Sequence, residues 1–446
     1  MFAGTDDLPF SQLDEKNILG LQILDKVILT AKYSIELREA YNGQAETSRS
    51  GKSIFYGAQG RDIRRLTLLK LYCSPMIRQF AAVCLAIGIL AVAPIAVTAA
   101  SPAASLDRKK WISVADHLVQ TPPESYPYDW GEATLFIGLM KTYERTHSPA
   151  YLDYAEKWAA LYTRKSREEI LELNGGPQPG DCNRWTAGAM MLALHQARNK
   201  PEYVAMVRMI TDFIRDSAER SPEGGIDHWT GSHQYWVDTL YMACPVLARF
   251  GTLENKPAYV DDAAQQFILH ARHLQDDKTG LFYHMWDWQT GQLTPVLWGR
   301  GNGWVIMALA DTMEMMDRNH ASYPLLRQIA SRLARGLRAV QDRDGLWHTV
   351  LNDPTSYAEC SASSMNVYGL LKLVRLKVLP PDSYKRIALR SWAAINARYV
   401  KDGVVTGVSG GTDPHPVEDY KKLDVGTQTW GTGAYLSAGS EVDRLQ

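Results

Sequence analysis

From Ser101 onward, apolar residues recur at the spacing of helices rather than strands, and the predicted helices come in pairs. The first helix of each pair is apolar nearly all round and carries small residues, which predicts burial on both sides. The second helix is amphipathic, as in 151–162 and 203–215, and is expected to lie in an outer layer. Inner helices are predicted at 132–140, 187–194, 238–245, 303–309 and 362–368.

Each outer helix is predicted to begin at a short marker that mostly contains proline. A proline in the first helical turn costs no hydrogen bond, because that amide would be unpaired in any case. The markers are Ser148-Pro149-Ala150-Tyr151, Lys200-Pro201-Glu202-Tyr203, Lys256-Pro257-Ala258-Tyr259, Ala321-Ser322-Tyr323 and Pro381-Asp382-Ser383-Tyr384.

Tryptophans are predicted to mark the starts of successive inner helices, at Trp130, Trp185, Trp236 and Trp304, with separations of 55, 51 and 68 residues. A sixth, shorter unit follows at 431–436. Six such hairpins can close into an all-α (α/α)6 barrel, which removes the apolar ends that an open solenoid must cap. Closure is predicted because unusual polar and aromatic residues gather at the inner-helix starts. An open helical solenoid is the alternative.

The segment 80–100 is apolar apart from Thr98, and it follows a short stretch that contains Arg78. With small residues at 99–101, this pattern is typical of a secretory signal peptide. We therefore predict a wrongly assigned or disordered upstream extension at 1–75, a signal peptide at 76–100 and a catalytic barrel at 101–446. The expected location is the periplasm or the medium. A membrane anchor is the alternative, since the run is long enough to span a bilayer if it stays uncleaved.

The composition is that of an ordinary globular protein: 446 residues, 46% of them hydrophobic, with a formal net charge of -1. Nucleic acid is excluded as a partner, because its recognition requires a clustered basic excess. The five cysteines form no C-x-x-C pair, and no aspartate-rich motif occurs. The sequence therefore indicates neither a metal nor another cofactor.

Polar residues at the inner-helix starts are the candidates for chemistry. Asp238 opens an otherwise apolar helix, and a carboxyl group shielded from water stays protonated more readily, which suits a general acid. Asp181 and Asn183 occupy the equivalent end of the previous inner helix. For all three residues, capping of a helix N-terminus is the alternative role.

A second group of candidates lies at 280–304. His284 stands among aromatic residues, and Arg300 lies between Trp298 and Trp304 in a glycine-rich stretch. A guanidinium offers a planar pair of donors to a carboxylate, and the indoles offer flat faces to a sugar ring, so this segment predicts a site for an acidic sugar. A tight turn with a surface ion pair, and a buried structural histidine, are the alternatives.

From Asp129 to Glu441 the chain resembles glycoside hydrolase family 105, the unsaturated rhamnogalacturonyl hydrolases, and the related family 88, the unsaturated glucuronyl hydrolases. The resemblance depends on ordered sequence blocks, each moderately specific alone. They are Tyr128-Asp129-Trp130-Gly131, 236–242, 280–287, Trp298-Gly299-Arg300 with Gly303-Trp304, Asp344-Gly345-Leu346-Trp347, 359–363 and 431–434.

This resemblance implies an (α/α)6 barrel that removes a Δ4,5-unsaturated uronic acid from the non-reducing end of oligosaccharides released by polysaccharide lyases. A carboxylic acid protonates C4, water adds at C5, and the resulting hemiketal opens and expels the remaining sugar. By resemblance, Asp238 is the general acid and water activator, Arg300 holds the uronate, and His284 bonds the ring. The implied sugar-site tryptophans are Trp130, Trp236, Trp298 and Trp304.

The chain departs from the family pattern at one position. Members usually carry a second Asp at the second inner helix, where alignment places Asn183, with Asp181 two residues earlier. Either Asp181 substitutes for it, or Asn183 only binds sugar, or activity is altered. A carbohydrate-binding barrel with altered catalysis is therefore the alternative function. His228 also resembles a substrate-binding position of the family.

Overall fold

The computed structural model describes residues 102–166, 168–170 and 180–446. The chain divides into two units, Met1–Ala96 and Val97–Gln446, and all described residues belong to the second. The predicted upstream extension at 1–75 and the predicted signal peptide at 76–100 therefore lie outside the described residues. Across the described ranges, no helix is both long and apolar enough to cross a membrane.

The described elements are mainly helices joined by loops and short strands. The helices are Pro102–Leu118 (α1), Trp130–Thr146 (α2), Pro149–Ala160 (α3), Ala187–Arg198 (α4), Pro201–Asp216 (α5), Val237–Leu253 (α6), Pro257–Leu274 (α7), Gly299–Met315 (α8), Tyr323–Ala339 (α9), Cys360–Arg375 (α10), Pro381–Arg398 (α11), Val417–Tyr420 (α12) and Thr429–Asp443 (α13). The strands are Gln234–Trp236 (β1), Met285–Asp287 (β2), Val400–Lys401 (β3), Val404–Val405 (β4), Val408–Ser409 (β5) and Val425–Gly426 (β6).

Six inner helices form a closed ring. Along the chain α2, α4, α6, α8, α10 and α13 each pack on the next, and α13 packs back on α2. Helices α3, α5, α7, α9 and α11 each pack outside the inner helix that precedes them. The (α/α)6 barrel is confirmed, and the open solenoid is wrong. The sixth inner helix takes its outer partner from the other end of the described chain, because α1 packs on α13.

The first and last inner helices meet backbone to backbone. A Cβ atom built on Gly138 of α2 would lie 2.9 Å from the Cα of Gly433 in α13. Such atoms are never that close in ordinary packing, so a side chain at either position would push the two helices apart. This pair of glycines therefore allows the ring to close.

The predicted outer-helix markers are confirmed, since α3, α5, α7, α9 and α11 begin at them. Trp304 is the exception among the inner-helix markers, because α8 begins earlier, at Gly299. The glycine-rich stretch is thus helical rather than a turn. A Cβ on Gly303 would lie 2.7 Å from the Cβ of Met365, so the glycine makes room for α10.

A buried charge cluster joins the far ends of three inner helices. Asp311 of α8 is 4% exposed and accepts hydrogen bonds from Tyr368 and from Lys372 of α10, while Lys141 of α2 lies 3.5 Å away. Burial alone would raise the pKa of Asp311, but Lys141 and Lys372 hold that pKa well below its ordinary value. These contacts hold the helices together at the end away from the inner-helix starts.

Candidate active site

Asp238 lies in the first turn of α6, where the chain leaves β1. Its side chain is 13% exposed, and its Oδ2 is buried without a hydrogen-bond partner among the described residues. Trp236 is the N-cap of α6, and within the described residues no side-chain hydrogen bond caps this helix. The capping alternative for Asp238 is therefore wrong, and one oxygen of the carboxyl group remains available for other chemistry.

His284 faces this carboxyl group. Strand β1 pairs antiparallel with β2, with Trp236 opposite Met285, and the amide of Val237 donates to the carbonyl of His284. This pairing brings His284 Nε2 to 3.4 Å from Asp238 Oδ2, although neither atom forms a hydrogen bond within the described ranges. His284 is fully buried, and its Nδ1 lies 2.6 Å from the hydroxyl of Tyr420. The ring is thus held in place, with its other nitrogen directed at Asp238.

His228 lies against the face of Trp236. The two rings are parallel within 5° and their centroids are 4.2 Å apart. The Nδ1 atom lies 2.9 Å from Thr239 Oγ1 and 3.1 Å from Cys182 Sγ. Burial lowers the pKa of His228, while the nearby Asp238 and Asp181 partly oppose this effect. The imidazole is therefore neutral at neutral pH.

Asp181 and Asn183 precede α4 in a short 3-10 turn, Cys182–Trp185. Asp181 caps this turn, since its Oδ1 accepts from the amide of Asn183 at 3.0 Å, and its Oδ2 lies 3.2 Å from Arg184. The predicted capping alternative is confirmed for Asp181. Its carboxylate also lies within 4.8 Å of ligand atoms of Cys182 and His228. Asp181 thus combines a capping role with a position beside the Asp238 site.

Arg300 is buried, with 1% exposure, and holds the segment after β5. Its Nη1 donates to the carbonyl and hydroxyl of Ser409, and its Nη2 donates to Gly410 O and Thr412 Oγ1, both at 2.7 Å. The guanidinium also lies 4.6 Å from the centre of Trp298. All four Nη hydrogens are therefore used, and Nε is the remaining donor, buried without a partner among the described residues.

Aromatic side chains line the rest of this end of the barrel. Trp298 lies 4.3 Å from His284, and Trp304 is buried behind Trp130, with ring centroids 6.1 Å apart. Trp130 also packs on Trp430 at 4.5 Å. The indole N–H groups of Trp298, Trp304 and Trp430 have no hydrogen-bond partner among the described residues. These N–H groups are also buried, so none of them is exposed to a sugar in this structure.

The structure gathers the predicted residues other than Asp181 and Asn183 in two connected groups. Asp238, His284, His228, Trp236 and Trp298 touch one another directly, with Arg300 stacked beyond Trp298. Trp130 and Trp304 form a second group with Trp430 and Tyr241.

Sequence reasoning missed three residues of the site: Tyr420, Trp430 and Glu359. Glu359 is fully buried, caps α10 through the amide of Ala362, and accepts from the amide of Ser409 at 2.9 Å. An acidic residue just before an apolar helix is a common N-cap, and this pattern could have identified the capping role of Glu359. Tyr420 lies far along the chain from His284, and no local pattern indicates their contact.

Comparison with known proteins decides the family, because the model of Glycosyl Hydrolase Family 88 matches residues 106–446. The chain belongs to glycosyl hydrolase family 88. It is 30% identical over 346 residues to the unsaturated rhamnogalacturonyl hydrolase YesR of Bacillus subtilis, covering 75% of this chain and 96% of that protein. It is also 27% identical over 333 residues to an unsaturated 3S-rhamnoglycuronyl hydrolase of an Alteromonas species, covering 70% and 77%.

Solved structures agree with this assignment. A family 105 glycoside hydrolase of C. acetobutylicum superposes with a TM-score of 0.68 at 27% identity, covering 76% of this chain and 99% of that one. A possible family 105 member from Salmonella enterica gives 0.69 at 24% identity, covering 79% and 96%, which supports the fold. The predicted resemblance to families 105 and 88 is confirmed, and this family 88 protein is a glycoside hydrolase.

Proposed function

We propose that this glycoside hydrolase removes a Δ4,5-unsaturated uronic acid from the non-reducing end of oligosaccharides produced by polysaccharide lyases. The observation that carries the proposal is the unpartnered Asp238 Oδ2, which faces His284 at 3.4 Å inside a group of tryptophans. The names of the relatives, unsaturated rhamnogalacturonyl and rhamnoglycuronyl hydrolases, support the same substrate class.

The proposed reaction is hydration of a vinyl ether rather than direct displacement at the anomeric carbon. Asp238 in its acid form donates its proton to C4, and positive charge develops at C5 and the ring oxygen. The carboxylate that results takes a proton from water as the water oxygen bonds to C5. The hemiketal then opens and releases the remaining sugar. One carboxyl group thus serves as acid and then as base, whereas ordinary glycosidases use two carboxyl groups.

Asp181 is proposed as the second carboxylate of the site, in preference to Asn183. Its carboxylate lies beside His228, which stacks on Trp236 immediately before α6. Asp181→Asn keeps an oxygen that can cap the turn but removes the charge, so it is expected to lower kcat/KM at least about tenfold. Asn183→Ala is the matched comparison, and an equal or larger loss in that variant would assign the role to Asn183.

Arg300 is proposed to favour the uronate through the positive charge of its buried guanidinium. Its Nη groups meanwhile fix the segment Ser409–Thr412 at the rim of the site. Because Nε is buried, the substrate carboxylate is expected to be attracted by this charge without a hydrogen bond to the guanidinium.

The test is turnover of unsaturated disaccharides made with pectin, glycosaminoglycan and ulvan lyases, followed by loss of the ultraviolet absorbance of their conjugated double bond. The matched saturated disaccharides are the control, and they should not be cleaved. Failure to consume any unsaturated substrate would contradict the proposal. The alternative, a carbohydrate-binding barrel with altered catalysis, is motivated by Asn183 and predicts saturable binding without turnover.

We also propose that the protein is exported to the periplasm or the medium, on the basis of the apolar segment 80–100 and the small residues that follow it. N-terminal sequencing of protein recovered from a cell fraction outside the cytoplasm should then begin close to Ser101. A mature chain that retains Phe80 would contradict cleavage and favour the membrane anchor.

A further inference from the structure

A second cluster of ionisable side chains lies in the connection between α5 and β1. Glu219, Asp227 and His233 each place one oxygen or ring nitrogen within 4.8 Å of the others. The cluster is separate from Asp238 and His284, and the proposed reaction makes no use of it. Its spacing along the chain matches no metal-binding motif, so sequence patterns do not indicate a metal there.

Asp227 is the buried member of this cluster, with 2% exposure. Its Oδ1 accepts from the indole of Trp288 at 2.8 Å, but its Oδ2 has no hydrogen-bond partner among the described residues. His233 Nδ1 is also buried and unpartnered, and it lies 3.8 Å from that Oδ2. Two unsatisfied polar atoms therefore face each other at a distance too long for a hydrogen bond.

That distance is close to the separation of two ligands on one metal ion. With metal–ligand bonds of about 2.0–2.2 Å and tetrahedral angles, two ligand atoms lie roughly 3.4 Å apart. A shift of about 0.4 Å would bring the oxygen and the nitrogen to this separation. Glu219 supplies a third ligand atom, since Gly231 donates to its Oε2 and no other hydrogen bond reaches its carboxylate from the part of the chain that the structure describes.

Among the described residues, the two carboxylates of the cluster are offset only by His233, and only when it is protonated. Within the described ranges, no lysine or arginine forms an ion pair with Glu219 or Asp227, and the adjacent Arg220 is paired with Asp262 at 2.7 Å. Burial and the charge of Glu219 together raise the pKa of Asp227 to about 6, although the bond from Trp288 and the nearby His233 lower it. A bound cation would supply the missing positive charge.

We propose that Glu219, Asp227 and His233 bind one divalent cation of the zinc class, with water completing its coordination. One imidazole and two carboxylates form a ligand set that suits Zn²⁺. The ion would join both ends of the loop that carries His228 and Trp229. Because His228 stacks on Trp236 at 4.2 Å, fixing this loop would also fix one wall of the Asp238 site.

The test is calorimetric titration of ZnCl₂ into the full-length protein after chelator treatment, with the metal content measured independently by mass spectrometry. We expect about one zinc per chain, and we expect Asp227→Asn and His233→Asn to bind at least about tenfold more weakly. Asparagine suits position 233 because its φ of 56° lies in the left-handed region, which asparagine tolerates.

A second candidate cluster provides the control, since Asp181, Cys182 and His228 also lie within 4.8 Å of one another. Cys182→Ser should leave zinc binding unchanged. Loss of zinc in Cys182→Ser with retention in His233→Asn would overturn the proposal, as would absence of zinc binding in the unmodified protein. Thermal unfolding supplies a second readout: zinc should raise the unfolding temperature of the unmodified protein but not that of a folded His233→Asn variant.

Discussion

Replacing Arg300 by methionine would test how the segment Ser409–Thr412 is held at the rim of the site. Methionine keeps much of the length and the apolar stem of the side chain, but it removes every donor and the charge. The lost contacts are those to the carbonyl and hydroxyl of Ser409, to Gly410 O and to Thr412 Oγ1.

The expected loss of stability follows from the burial of each partner. Gly410 and Thr412 are partly exposed, so water can replace the guanidinium there. Ser409 is fully buried, and leaving its carbonyl unpaired costs about 1–3 kcal/mol. The fully buried Glu359 also loses the positive charge of Arg300, although Glu359 keeps its bonds to the amides of Ala362 and Ser409. We expect the free energy of unfolding to fall by about 3 kcal/mol in total. This is less than the loss expected when one partner of a buried ion pair is removed.

Urea unfolding followed by circular dichroism measures this change. Arg332→Met is the matched control, because Arg332 pairs on the surface with Asp277, which is 96% exposed, and should lose less than about 1 kcal/mol. A loss below about 1 kcal/mol in Arg300→Met, equal to that of the control, would refute the inference that Arg300 fixes the segment.

Two further predictions concern the barrel itself, and both are measured by urea unfolding. Gly138→Ala should lower the free energy of unfolding by at least about 2 kcal/mol by forcing α2 away from Gly433, whereas Gly411→Ala, whose Cβ would meet no atom within 4 Å, should have little effect. Asp311→Asn should cost about 3–5 kcal/mol at neutral pH, because Lys372 loses its buried partner. Folding lowers the pKa of Asp311, so the stabilisation by its carboxylate is complete above the ordinary pKa of 3.8 and declines at lower pH. The difference in the free energy of unfolding between Asp311→Asn and the unmodified protein should therefore become smaller in stronger acid. Equal free energies of unfolding for Gly138→Ala and Gly411→Ala would contradict the packing explanation. A destabilisation by Asp311→Asn that stays constant as the pH falls would contradict the explanation by charge.

The parts of the fold that local sequence determines were predictable. Proline near a helix start and the change from apolar to amphipathic helices are local patterns, and they located the outer helices at Pro149, Pro201 and Pro257. Helices α1 and α13 pack on each other although they lie at opposite ends of the described chain, so no pattern within either helix indicates this contact. Gly301 and Gly303 resembled a turn in the sequence, but Gly301 makes room for Trp298 and Val237, and Gly303 makes room for Met365 of α10. Local sequence does not show these neighbours.

The candidate site divides in the same way. Asp238, His284 and Trp298 were found from residue type and order, and the structure brings them into contact. The hydrogen bonds of Arg300 to Ser409 span 109 residues, and they could not be inferred from a motif that ends at Trp304. The contact of Tyr420 with His284 spans 136 residues and was missed for the same reason.

Protonation of the unsaturated uronate by the Asp238 carboxyl group is the central step of the proposed reaction. The most direct measurement is the rate at which Asp238→Asn removes the ultraviolet absorbance of an unsaturated disaccharide that the unmodified protein consumes. Asparagine preserves shape and leaves the neighbouring His284 buried, so the variant should fold with an unchanged circular dichroism spectrum and unfolding temperature. We predict a rate at least about a hundredfold lower, since an amide cannot donate and recover the proton. A folded Asp238→Asn variant that retains its rate within about threefold would contradict the claim.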